Sequence, residues 1–295
     1  MRKVIIHIGL HKTGTRYLQR KVFRSLDANR FVINPPAIHV PLREALRDPG
    51  NQALRERVRE HVRDWRKSGD DRTLVISEPH ASGDMYSMHE GYEHNSRFLS
   101  ELFPEAEIVY LVRNVATWLQ SAYRQSLVKD PGQPIERFLN FYSGEFHPRP
   151  SAWVGGKRNV SALGMQFRYI YNAYCEAFSE EKVNLFTQEQ LRNKPEAVKA
   201  KLAKILGIDT LPTPPRDRTQ NRSFSALAIY IFFPGVWFVK GRPKASQIGQ
   251  GPTALRDRLR LLRKVRTQVI KHGFDKIVYK DWDLLAKGGM RRKLD

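Results

Sequence analysis

Val4-Ile5-Ile6-His7-Ile8-Gly9-Leu10-His11-Lys12-Thr13-Gly14-Thr15-Arg16-Tyr17-Leu18 is the stretch on which the fold turns. Its first residues form a short, β-rich apolar run, the pattern of a strand buried on both faces of a parallel sheet. A glycine-containing turn follows, and then Leu18, Val22 and Leu26 recur at helical spacing. Strand, glycine loop and helix together aim backbone N–H groups and the positive end of a helix at an anion. Lys12 adds a positive charge to the loop, and Thr13 and Thr15 add hydroxyls. The stretch reads as a phosphate cradle.

Its details depart from the nucleoside-triphosphate pattern G-x-x-x-x-G-K-[ST], in which lysine reaches the terminal phosphates and the hydroxyl holds magnesium. Gly9 and Gly14 have the right spacing, but Thr15 occupies the lysine position and Arg16 the hydroxyl position, with Lys12 upstream. That is a poor site for Mg·ATP. Lys12-Thr13-Gly14-Thr15 closely resembles the K-x-G-T phosphosulfate loop of sulfotransferases that use 3′-phosphoadenosine 5′-phosphosulfate (PAPS). The likeness is to the bacterial, carbohydrate-directed branch. It implies a P-loop-like α/β fold, a PAPS donor and no metal. The loop residues His11, Lys12, Thr13, Gly14, Thr15 and Arg16 would hold the 5′ side of the donor.

At 295 residues and 41% apolar content the chain has enough material for one large α/β domain. Cys175 is the single cysteine, so an intramolecular disulfide framework is excluded and a reducing compartment fits. No signal peptide is read at the N-terminus, and no apolar run reaches membrane-spanning length. The formal charge is +21, of which residues 236–295, with 16 Lys/Arg and 5 Asp/Glu, supply +11. A doubly anionic donor needs few of these charges. The excess points to an acidic acceptor, a membrane surface or nucleic acid.

Further along, Pro35, Pro36 and Pro41 mark a loop. Leu54, Val58, Val62 and Trp65 predict an amphipathic helix. Thr73–Ser77 and Ile108–Val112 read as buried strands, ending in Glu78 and in Arg113-Asn114. A short helix around Phe98–Leu102 stops at Pro104, and another helix runs from about Val115 to Val128. Phe167–Phe178 predicts a helix, Val183–Phe186 a strand, and Pro195–Leu206 a helix closed by Gly207. Ile229–Val239 is apolar but broken by Pro234 and Gly235. A tail helix from about Thr253 to His272 carries one apolar and one basic side.

Arg113 at a strand tip and Ser121 eight residues on suggest a second anion site. Their spacing resembles the 3′-phosphate motif of the same sulfotransferases, although Asn114-Val115 stands where many members have Asp-Pro. Arg124 shares the helix face of Ser121 as an auxiliary cation. Asn221-Arg222-Ser223 resembles the family's loop over the 3′ side of the nucleotide. Glu78 matches the glutamate base of the carbohydrate branch, although Pro79 replaces the lysine that often follows. Glu78 ranks ahead of its rival base, His80, while Lys12 would stabilise charge on the leaving phosphate. His80, Asp84, His89 and His94 follow no zinc spacing, and His7 reads as structural.

The expectation is therefore an α/β, three-layer P-loop-like fold with a central parallel sheet. Residues 1–235 form the core, and 236–295 a basic helical extension packed on the same domain. The expected reaction is sulfuryl transfer from PAPS to a hydroxyl or amine of a carbohydrate or glycolipid. The setting is cytoplasmic, with peripheral contact to an anionic membrane and nucleic acid disfavoured. The rivals are a P-loop kinase or nucleotide hydrolase and a non-catalytic polyanion-binding protein.

Overall fold

The computed structural model describes residues 2–86, 89–128, 132–148, 159–163, 165–212, 223–233, 265, 267–278 and 280–294. They fall into two compact units. The first comprises residues 1–113 and 166–217, the second 114–165 and 218–295.

In the first unit the chain runs β1 (Val4–Gly9), α1 (Thr15–Tyr17), β2 (Phe31–Ile33), α2 (Pro36–Arg47), α3 (Gln52–Lys67), β3 (Thr73–Ser77), α4 (Tyr92–Leu102) and β4 (Glu107–Val112). The second unit intervenes with α5 (Val115–Ser126), α6 (Ile135–Phe138) and the hairpin β5 (Phe141–Tyr142) and β6 (Glu145–Phe146). The first resumes with α7 (Arg168–Phe178), β7 (Val183–Thr187), α8 (Gln188–Asn193) and α9 (Pro195–Leu206). Five parallel strands form one sheet in the order β2-β3-β1-β4-β7. Every residue of β1 is buried, as a strand covered on both faces requires. One face carries Ile5, Val75, Val109, Leu111 and Phe186 against Leu18, Val22 and Phe23 and against Val198, Leu202 and Leu206 of α9.

This order places the site. The chain passes from β1 outward through β2 and β3, then returns across β1 to β4, so the direction of winding reverses between β1 and β4. Ligands of open α/β sheets bind beyond the strand ends at such a point. The loop after β1, Glu78 after β3 and Arg113 after β4 leave three adjacent strands there.

The strands and α3, α7 and α9 lie where periodicity puts them, with Asn51 accepting the Leu54 N–H at the start of α3. The proline-marked segment differs. In place of a loop, residues 31–47 form β2 and the twelve-residue α2. Pro36 occupies the first turn, where its missing N–H costs nothing. Pro41 is accommodated inside because Ile38, Leu42, Ala45 and Leu46 bury one continuous face. Burial of that stripe outweighs one lost helical bond.

In the second unit the described C-terminal residues are tied to the middle of the chain. Arg124 of α5 makes two bonds to Asp281, at 2.9 and 2.7 Å, and a third to the Phe224 carbonyl at 3.0 Å. The Ser225 hydroxyl donates to Asp275 at 2.6 Å while capping α10 (Ala226–Phe232). Residues 234–240 and most of the tail helix lie outside the described residues. Among the described residues, no helix is long and apolar enough to cross a membrane.

The turn beyond β3 depends on Gly83. Its φ is +82°, and a Cβ there would overlap the His89 backbone. Gly83→Ala is expected to lower stability by about 3 kcal/mol in denaturant titration, by strain and overpacking together.

Candidate active site

The loop after β1 is folded by its own threonines. Thr13 and Thr15 each place Oγ1 2.7 Å from the Leu10 carbonyl. A carbonyl only accepts, so both hydroxyls donate inward and the loop's capacity to donate to an anion rests on backbone N–H groups and cations. Gly14, in the left-handed conformation, precedes the helical run 15–25 with no side-chain cap. Gly9, at φ +95°, lets the loop backbone approach Pro79, which a Cβ would meet at 3.2 Å. Arg113 donates from Nη1 to the Lys12 carbonyl at 3.3 Å, so the cation at the β4 tip lies against the loop. Arg16 is exposed and Lys12 half-buried.

On the other side of β1, Glu78 is buried and both its oxygens are engaged. Oε1 accepts from the backbone N–H of His80 at 3.1 Å and lies 2.6 Å from His80 Nδ1. Oε2 accepts from Arg43 Nε at 2.9 Å and lies 3.1 Å from His39 Nε2. Burial alone would push this carboxyl up. The contacts with His39 and His80 outweigh it and hold the group well below the usual carboxylate range. Ionised Glu78 can only accept, so His80 carries a proton on Nδ1, and the neutral ring then has its lone pair on Nε2. Arg43 can only donate, so its 3.1 Å contact with His39 Nδ1 fixes the opposite tautomer on His39.

The backbone around His80 is pinned by three buried side chains. Asn95 Nδ2 donates to the His80 and Leu46 carbonyls at 3.0 and 3.1 Å. Tyr174 donates to the Ala81 carbonyl at 2.9 Å. His89 Nδ1 donates to the Ser82 carbonyl, also at 2.9 Å. The His11 and His80 rings meet edge to face, with centroids 5.0 Å apart. A cavity of about 610 Å³ opens beside them, lined by His11, Glu78 and His80 and by residues of α2 and the helical run 15–25.

Sequence reasoning finds the loop residues, Arg113, Glu78 and His80, and the fold gathers these at neighbouring strand ends. Ser121 is buried in α5, in the other unit. Arg124, read as an auxiliary cation, is spent on Asp281 and the Phe224 carbonyl. Asn221 and Arg222 lie outside the described residues, while Ser223 is half-buried ahead of α10. His39 and Arg43 were missed. Their i, i+4 spacing on α2 is the available signal, and it is hidden once the prolines are read as a loop. Among the described residues, no group of side chains is arranged to hold a metal ion.

No protein-family model matches this chain, and no curated protein matches it in sequence. Among solved structures, a sulfotransferase from Alicyclobacillus acidocaldarius aligns over 92% of this chain and 95% of its own, at 15% identity and a TM-score of 0.46. At that distance the chemistry has to be derived from this chain's own residues.

Burial holds three histidines neutral. His7, bonded through Nδ1 to the Ser77 hydroxyl at 2.7 Å, is lowered to about 3 by burial. His11 is lowered to about 3, by burial first and then by His80 and His89, and burial lowers His89 to about 4. The unfolded chain therefore binds more protons than the fold below the ordinary histidine value of 6.5. Stability falls as pH drops from there toward 4, by about 1.4 kcal/mol per histidine per pH unit. Denaturation midpoints are expected to fall steeply between pH 6.5 and 5, and less steeply in His7→Asn. An equal fall in His7→Asn would remove His7 from the account.

Proposed function

We propose that this chain is a sulfotransferase that moves a sulfuryl group from PAPS to a hydroxyl or amine of a carbohydrate or glycolipid. The observation that carries the reading is the Glu78–His80 pair, held at the β3 tip beside a phosphate-type loop and bordering a cavity. Backbone N–H groups of the loop, with Lys12 and Arg16, take the 5′-phosphosulfate side, and Arg113 supplies a further cation. Neutral His11 contributes an N–H rather than a charge. Thr13, Gly14 and Thr15 shape the loop. Ser121 and Asn221-Arg222-Ser223 carry the resemblance to the family's 3′-phosphate motifs.

In this reading His80 is the base and Glu78 positions it, reversing the ranking expected from sequence. A carboxylate held this far below its usual range, with both oxygens engaged, is a weak proton acceptor. His80 Nε2 takes the proton from the acceptor hydroxyl as its oxygen bonds to sulfur. The bond between sulfur and the bridging phosphate oxygen breaks, and Lys12 stabilises the charge left there. The products are the sulfated acceptor and adenosine 3′,5′-bisphosphate.

Adenosine 3′,5′-bisphosphate is expected to raise the melting temperature without magnesium, and Lys12→Ala to abolish that shift. Stabilisation by Mg·ATP alone would point instead to a kinase or hydrolase. With labelled donor and a saccharide panel, His80→Ala is expected to lower kcat by roughly 10²–10⁴. Glu78→Gln is expected to lower kcat at least tenfold while leaving bisphosphate affinity unchanged. Full turnover by His80→Ala would return the base role to Glu78.

A further inference from the structure

The cavity next to His80 has a charge pattern that the transfer chemistry alone does not require. Arg20 and Arg24, one turn apart on the helical run 15–25, line it, and Arg43 and Arg47, one turn apart on α2, line it as well. Against four arginines the lining offers one carboxylate, Glu78, which Arg43 already engages. Arg20, Arg24 and Arg47 are exposed, and no carboxylate among the described residues pairs with them. A second cavity of about 390 Å³ shares Arg47 and His80 but contains Asp84 and Glu90. His80 therefore borders a strongly cationic space and a mixed one. An anion is drawn to the arginine-lined space rather than to the mixed one.

The lining also speaks to the body of the ligand. Outside the histidines, Phe23 is the one aromatic residue lining this cavity, and most of the other residues there are polar or charged. A pocket for a flat aryl alcohol is walled chiefly by apolar and aromatic side chains. A polyhydroxylated, charged molecule matches this wall better.

Resting on the sulfuryl-transfer reading, we propose that the 610 Å³ cavity is the acceptor subsite and selects an anionic saccharide carrying at least two negative charges, through Arg20, Arg24 and Arg47. Guanidinium groups give planar, two-point contacts to carboxylate or sulfate, so recognition is geometric as well as coulombic. The enzyme would then act on sugars that already bear acid groups. The reaction that supplies its substrate must therefore be one that installs a uronic acid or an earlier sulfate.

Calorimetry tests this with three probes at low salt: lactose, the unsulfated chondroitin disaccharide and the 6-sulfated chondroitin disaccharide, with zero, one and two acid groups. Each is titrated with and without saturating adenosine 3′,5′-bisphosphate. Affinity is expected to rise about tenfold per added charge and to weaken with salt. Arg20→Gln/Arg24→Gln is expected to flatten that series, and Arg47→Gln to weaken it, with bisphosphate affinity within twofold of wild type in both. Equal affinity for the three probes, or an undiminished series in the double variant, overturns the proposal. So does a loss of bisphosphate binding in the double variant, since the cavity would then belong to the donor. If wild type fails to bind the bisphosphate but keeps the charge series, the donor assignment fails while the anion subsite stands.

Discussion

A buried carboxylate at the end of a central strand constrains most of what surrounds it. Taking an ionised carboxylate out of water costs several kcal/mol, and only near-complete engagement of its oxygens offsets that. Glu78 is placed by β3 and held by Arg43 and His39 from α2 and by His80 from the following turn. α2 is thereby joined to the end of β3 through charge, while Ile38, Leu42 and Leu46 bury its apolar face. Losing any one of these three partners leaves the buried charge less fully compensated and destabilises the fold.

The same contacts set proton positions. A carboxylate that only accepts and a guanidinium that only donates leave each neighbouring imidazole one tautomer. As neutral rings, His39 has its N–H on the nitrogen nearest Glu78 and His80 has its lone pair on Nε2. His11, in edge contact with His80, is kept neutral by burial. Burial thus keeps the loop's own imidazole, His11, from adding a positive charge there. Cationic character at the loop comes from Lys12, Arg16 and Arg113.

How much of this was legible in the sequence depended on whether local pattern or tertiary burial decided each element. Continuous apolar runs made β1, β3, β4 and β7 readable, and Pro195 with Gly207 bracketed α9. α2 was obscured because Pro36 and Pro41 argue locally for a loop, while the stripe that stabilises the helix becomes decisive only when packed. Misreading it removed His39, Arg43 and Arg47 from view, and with them the reason Glu78 is a weak base. Arg124 failed in another way. Spacing put it on the face of Ser121, but nothing in the sequence foretold that Asp281, far along the chain, would take its guanidinium.

Strand order decides how the arginines around the cavity are to be understood. β1 lies between β3 and β4, so the loop after β1 has Arg113 on one flank and Glu78 with α2 on the other. In the proposed reading a bis-phosphorylated donor would take the loop and the β4 flank, which leaves the β3 flank to the second substrate. Arg20 and Arg24 point the same way, since they lie beyond the first turn of the helical run and outside the loop itself. If the cavity served only to hold a neutral alcohol beside His80, exposed arginines without carboxylate partners would repel one another and gain nothing from the ligand. A ligand that brings its own negative charge removes that repulsion. Its charges and its reacting hydroxyl are then located by different parts of one wall, which fixes orientation as well as affinity.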